Sequence, residues 1–168
     1  VEEEHREARP LEDDADATNF TLWTTSGTWV TGTAQPNKWA TSYRYTSGSG
    51  NASNPTRGAT WALPIHHEGV YEVFIWYPES SNRITDAPFT VYYSGGAMSQ
   101  TTRVNQQLNG GVWLSLGQYF FAGGNAQERV VLTNATNDAV STHYVIADAA
   151  GVATVMLTPV RMSRFDIE

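Results

Sequence analysis

The sequence predicts an all-β protein, an antiparallel β-sandwich of jelly-roll type with no significant helix. Three observations lead there. Twenty of the 168 residues are aromatic and, together with abundant Thr, Val and Gly, they favour strands over helices. No stretch sustains a helical period, whereas short alternating runs recur between turns rich in Gly, Asn and Pro. At this length the chain is one domain's worth and buries a sizeable core without disulfides, having no cysteine.

Taken in order, Val1 to Pro10 is a charged arm, and residues 11–168 are the domain. Phe20, Leu22 and Trp23 mark a first strand, and Ser26-Gly27 turns the chain into Thr28 to Thr33. Trp39, Tyr43 and Tyr45 mark an aromatic strand, followed by a Ser/Gly/Asn/Pro loop from Thr46 to Arg57. Ala59 to Leu63 and Val70 to Tyr77 read as antiparallel neighbours joined tightly across Pro64 to Gly69. In the second of these, Tyr71, Val73, Ile75 and Tyr77 take one face and Glu72, Phe74 and Trp76 the other, which predicts a central strand buried on both sides. Pro88 to Tyr93 and Thr101 to Gln107 form a hairpin through Gly95-Gly96. Further strands are expected at Val112 to Leu116, Gln118 to Phe121, Arg129 to Leu132, Tyr144 to Ala147 and Thr154 to Val160.

Three strings carry a resemblance: WYPESSNRITDAPFTVYY from Trp76, RVNQQLNGGVWLSLGQYFFAGG from Arg103, and YVIADA from Tyr144. In order and spacing the chain from Leu11 to Ala149 resembles the golvesin C-terminal-like domain, a β-sandwich module at the ends of xanthan lyases, amidases and other secreted bacterial proteins. The resemblance implies a non-catalytic module associated with polysaccharide. It departs after Ala149, where the family closes with a short strand and this chain runs on from Val152 to Met162.

Charge excludes several functions. Residues 1–16 hold eight acids against Arg6 and Arg9, so six of the seven net negative charges lie there. The remaining body is nearly neutral with a single lysine, Lys38, and has no basic stripe for nucleic acid and no polybasic membrane patch. No apolar segment approaches membrane-spanning length, so no membrane insertion is expected. Val1 in place of an initiator Met points to processing or to excision from a longer chain.

Carboxylates are present at Glu68, Glu72, Asp86, Glu128 and Asp148, but no motif of paired acids or of a Ser-His-Asp triad surrounds them, and they read as caps and rim charges. No enzyme activity, cofactor or metal is expected. His66-His67 suits a loop better than one shared ion, and Asp13, Asp14 and Asp16 offer hard oxygens without a complete calcium loop unless Asp148 closes it. Trp76 and Trp113 lie in strong strand patterns and are expected in the core, which leaves Trp23, Trp29 and Trp39 as candidate sugar platforms. Asn82, Arg83, Thr85, Asn105, Gln106 and Asn109 form either a ligand site or a hydrogen-bond clamp holding the loop from Glu79 to Ala87, with Asn82, Arg83 and Asn105 its expected main members. Asn19, Asn51 and Asn134 each open an N-glycosylation pattern.

Two functions fit. The leading expectation is an extracellular, self-assembling fibre subunit, whose arm of Val1, Glu2, Glu3, Glu4, His5, Arg6, Glu7, Ala8, Arg9 and Pro10 adds to a neighbouring copy's sheet edge, since the chain holds little besides the module. The alternative is a polysaccharide-binding accessory module of a secreted lyase or hydrolase.

Overall fold

A computed structural model describes residues 11–13, 18–124, 126–138 and 140–155, which form twelve strands and, among the described residues, no helix. The strands are β1 (Leu11–Asp13), β2 (Phe20–Thr24), β3 (Val30–Gly32), β4 (Tyr43–Ser47), β5 (Arg57–Ala62), β6 (Gly69–Trp76), β7 (Ala87–Tyr93), β8 (Met98–Val104), β9 (Leu114–Phe121), β10 (Arg129–Thr133), β11 (Tyr144–Ala147) and β12 (Ala149–Thr154). All strand pairs among the described residues are antiparallel. One sheet runs β2-β5-β10-β7-β8, a second β1-β12-β6-β9 and a third β11-β4-β3. Only Asp148 separates β11 from β12, so a single extended run passes from the third sheet into the second.

The core draws on all three sheets. Trp61, Phe89, Val91, Val130 and Leu132 come from the five-stranded sheet, Val73, Ile75, Phe121 and Val152 from the four-stranded one, and Tyr43 and Ile146 from the third. Each fully buried large apolar side chain contributes on the order of 2 kcal/mol. Burial on β6 follows the two predicted faces: Val73 and Ile75 are wholly buried, Phe74 is nearly so, and Glu72 and Trp76 stay half-exposed. The strand is central, between β12 and β9, but the outer face is sealed only at Phe74.

Buried polar groups stitch the loops. Asn134 is fully buried; its Oδ1 accepts from the Thr56 and Arg57 amides, both at 2.9 Å, and its Nδ2 donates to the Ser47 carbonyl and Thr56 Oγ1. Glu128, also fully buried, accepts from the amides of Gly95, Ala122 and Gly123, which holds the β7–β8 turn against the end of β9. Such groups are tolerated in a core because every desolvated bond is replaced.

Several sequence expectations are corrected. β5 and β6 are not neighbours: they lie in different sheets, and Pro64 to Gly69 carries the chain between them. Val112 to Phe121 holds one strand rather than two, and between Val73 and Phe74 of its partner the register skips Leu116, a bulge made possible by Gly117 at φ 114°. The hairpin return begins at Met98 and ends at Val104, so Asn105 to Gln107 form a turn. Thr46 and Ser47 belong to β4, and Trp39 lies before that strand rather than in it. β12 starts directly after Asp148 and closes the sheet as a short strand, where the sequence reading placed a departure; 156–168 lie outside the described residues. The acidic opening contributes β1, paired with β12, which composition alone did not reveal.

Two expectations follow. Asn134→Ala strands buried amides and carbonyls and should cost about 2–4 kcal/mol, read by urea denaturation, whereas an exposed-site control such as Asn51→Ala should be nearly neutral. Tyr77 is buried and donates to the Leu108 carbonyl at 2.7 Å; burial first, and then the Glu79 charge, push its hydroxyl up from 10.0 to about 12. Unfolding releases that proton more readily, so the stability is complete below pH 10 and on the order of 2 kcal/mol is lost as pH rises toward 12. Tyr77→Phe should flatten that alkaline decline.

Candidate functional site

On β4 and its neighbours the register places Tyr43, Tyr45 and Tyr144 on one sheet face, with Gly32 directly opposite Tyr43. A side chain at Gly32 would collide with the Tyr43 ring, so the glycine lets that ring lie over β3 and leaves a recess beside it. The result is a pocket of about 410 Å³ whose walls include Tyr43, Tyr45, Tyr144, Asn82, Arg83 and Gln35. The Tyr45 and Tyr144 rings meet edge to face at 5.4 Å, and Tyr43 lies 6.1 Å from Tyr45.

The pocket floor is set by the segment after Pro78. The Ile84 amide donates to the Tyr144 carbonyl at 3.0 Å and the Tyr144 amide donates to the Asn82 carbonyl at 2.9 Å, so Arg83 is bridged to the first residue of β11. Behind it, wholly buried Gln106 reads both backbone groups of Ile146: Nε2 donates to the carbonyl at 2.8 Å and Oε1 accepts from the amide at 2.9 Å. The Gln106 amide donates to the Ile84 carbonyl, and Gln107 Nε2 donates to the Arg83 carbonyl at 2.8 Å. The Gln106 backbone and the Gln107 side chain thus hold the segment by its backbone, while the Gln106 side chain ties them to β11.

That leaves the Arg83 side chain with a separate task. It is only 4% exposed, yet it forms no ion pair with any described residue. Nε donates to the Pro78 carbonyl at 3.3 Å and Nη1 to Asn82 Oδ1 at 2.7 Å, while buried Nη2 has no hydrogen-bond partner among the described residues. The guanidinium carbon lies 5.8 Å from the centre of the Tyr43 ring. Burial lowers the guanidinium below its ordinary value, and Tyr43 and then Tyr45 work against that; the Tyr43 hydroxyl biases the charge without satisfying Nη2 in hydrogen-bonding geometry.

Residues 33–42 join this pocket to a tryptophan cluster. Thr33, Ala34 and Gln35 line the pocket, and farther along Trp39 packs on Trp76 at 5.1 Å and on Trp113 at 4.9 Å, those two being 5.5 Å apart. Trp76 Nε1 donates to the Asn37 carbonyl at 2.7 Å, and the Trp39 amide donates to buried Asp148 Oδ2 at 2.9 Å. The cluster therefore pins the pocket rim.

The predicted residues part company here. Asn82, Arg83 and Gln106 converge, Gln106 as clamp and the other two on the pocket. Asn105 only caps a local turn by accepting from the Gln107 amide, so it is no main member of the clamp. Thr85 is exposed, and Asn109 is an exposed turn residue at φ 59°. Trp76 and Trp113 are half-buried partners of Trp39 rather than core residues, because the outer face of β6 is only partly covered. Trp29 packs against the core, and Trp23 lies exposed over Gly58 on β5, remote in topology from the pocket. Asn134 is too buried to carry a glycan, Asn19 is half-buried and Asn51 is exposed. The arm of Val1 to Pro10 lies outside the described residues, as do Asp14 and Asp16 of the acidic cluster. The tyrosines were missed as site residues; the available signal was Tyr43 and Tyr45 two apart on one strand face, each aligned with β3.

Residues 13–154 match the family described as the Golvesin C-terminal domain. A xanthan lyase of Bacillus sp. (strain GL1) is 30% identical over 145 residues, covering 85% of this chain and 14% of that protein. Golvesin of Dictyostelium discoideum is 32% identical over 111 residues, covering 64% of this chain and 17% of that protein. The chain thus spans less than a fifth of either curated relative. The solved structure of a Paenibacillus xanthan lyase superposes with a TM-score of 0.73 at 31% identity, over 87% of this chain and 13% of that one. A GH26-CBM35 β-(1,4)-mannanase of Podospora anserina shares the fold at a TM-score of 0.53 and 10% identity, over 84% of this chain and 29% of that one. This all-β chain belongs to the golvesin C-terminal domain family.

Proposed function

We propose that this chain is a non-catalytic, extracellular glycan-binding module that takes a sugar residue in the pocket between β3, β4 and β11. The observation that carries this reading is the pocket itself: three tyrosines from paired strands, with Asn82, Arg83 and Gln35 as polar partners. A pyranose presents apolar C–H faces and a belt of hydroxyls, and an aromatic wall with a few fixed polar groups matches both. A domain spanning so small a share of a relative named xanthan lyase also suits an accessory role.

The carboxylates support a non-catalytic reading. Glu128 is committed to three backbone amides, and Asp86 accepts from the Thr136 hydroxyl and the Asn137 amide while facing Arg103. Asp148 holds the Trp39 amide. None lines the pocket.

Affinity electrophoresis against a panel of polysaccharides tests the reading. Tyr144→Ala and Tyr45→Ala should each weaken retardation by about tenfold, the order expected for one aromatic contact, with the fold preserved because both rings are only half-buried. Trp39→Ala should weaken it through the loosened rim without removing a contact. Retardation that survives both tyrosine variants and disappears with Trp23→Ala would move the site to the other sheet.

A further inference from the structure

Resting on the pocket being a glycan site, the structure assigns its ligand class: we infer that the sugar bound there carries a carboxylate, received by the Arg83 guanidinium. A cation held at 4% exposure without an acid is costly. Guanidinium groups are retained in such places when an anion completes them, because a carboxylate matches the planar N–H fork and replaces the lost water. Arg83 meets that description on three counts. Its Nε and Nη1 are occupied by a carbonyl and an amide oxygen, neither of which neutralises charge. Nη2 is buried with no hydrogen-bond partner among the described residues, so its donor capacity is unused. Among the described residues that line the pocket there is no Asp or Glu.

A structural arginine would look different. Arg57 on β5 illustrates the contrast, with Nε on the Ser26 carbonyl and Nη1 shared by Thr46 Oγ1, the Ser47 carbonyl and Ser47 Oγ, so its donors knit loops together. The segment around Arg83, by comparison, is already fixed through its backbone by Gln106, Gln107 and Tyr144. The guanidinium is thus preorganised without being consumed. Tyr43 beneath it and Tyr45 and Tyr144 beside it supply the apolar wall for the ring that bears the acid.

Two carboxylated sugars share this chemistry, a hexuronate and a pyruvate-ketal-bearing hexose, and either places a planar carboxylate at the edge of a pyranose. The chain's net charge of −7 works against indiscriminate capture of polyanions, so selective retention of an acidic polymer would report the pocket.

The test compares the whole chain on three immobilised polymers: a glucuronate-containing polysaccharide, the same polymer with its carboxyls reduced to alcohols, and a pyruvylated neutral polysaccharide. The expected result is that at least one acidic polymer binds about tenfold or more tightly than the reduced one, the range of a charge-assisted contact. Preference for the first or the third identifies the source of the carboxylate. Arg83→Met should abolish the preference. Because that variant also unties Pro78 and Asn82, Gln35→Glu provides an independent check: it adds a carboxylate at the pocket wall and should weaken acidic binding several-fold more than it weakens reduced-polymer binding, with the melting temperature unchanged. Equal binding of acidic and reduced polymers overturns the carboxylate assignment and leaves the glycan site standing. Binding of none overturns both.

Discussion

The pairing of residues 82–84 with Tyr144 is the constraint on which the pocket depends. It is a short parallel bridge where every strand pair among the described residues is antiparallel, and two backbone hydrogen bonds would not hold an irregular segment on their own. Gln106 makes it durable by using its whole side-chain amide on Ile146, two residues along β11, while its own backbone holds Ile84. Removing that side chain would leave a buried carbonyl and a buried amide unsatisfied together. The pocket floor is therefore as firm as the core behind it, and Arg83 lines the recess from a fixed backbone.

From that fixed floor the other walls follow. β4 brings Tyr43 and Tyr45 because residues two apart share a face, and β11 brings Tyr144 because antiparallel register aligns the same face. Gly32 gives the space. The remaining wall, residues 33–35, is irregular and would be mobile without an anchor, and the Trp39, Trp76 and Trp113 cluster supplies one. The half-buried outer face of β6 is thereby put to use: Trp76 both packs and donates to the loop it supports. Binding sites preorganised in this way lose less entropy when a ligand enters.

The fold was largely legible in the sequence because alternation and turn chemistry are local. The β7–β8 hairpin with its Gly95-Gly96 turn and the alternation along β6 were legible from spacing, although the return strand runs from Met98 to Val104 and the outer face of β6 is only partly buried. Sheet membership was not, since nothing in Ala59 to Tyr77 distinguishes a hairpin from a crossing between sheets, and the bulge at Leu116 depends on a partner strand far along the chain. At the site, sequence reasoning found Asn82, Arg83 and Gln106 as a group but could not separate clamp from ligand contact. That division depends on which atoms are left over once the backbone is satisfied, a property of the assembled structure. The tyrosines were overlooked because aromatic residues on a strand read as core, and only the glycine opposite Tyr43 distinguishes a recess from a packed layer.

The most direct measurement is a titration followed by nuclear magnetic resonance, with methyl glucuronoside added to the labelled chain and both backbone amides and arginine side-chain Nε–H groups observed. The account predicts that the largest shifts fall on Gly32, Thr33, Tyr45, Tyr144 and the Arg83 side chain, with Arg57 and Trp23 unmoved. Shifts centred on Trp23 and β5, or an Arg83 signal indifferent to a ligand that moves the tyrosines, would contradict it.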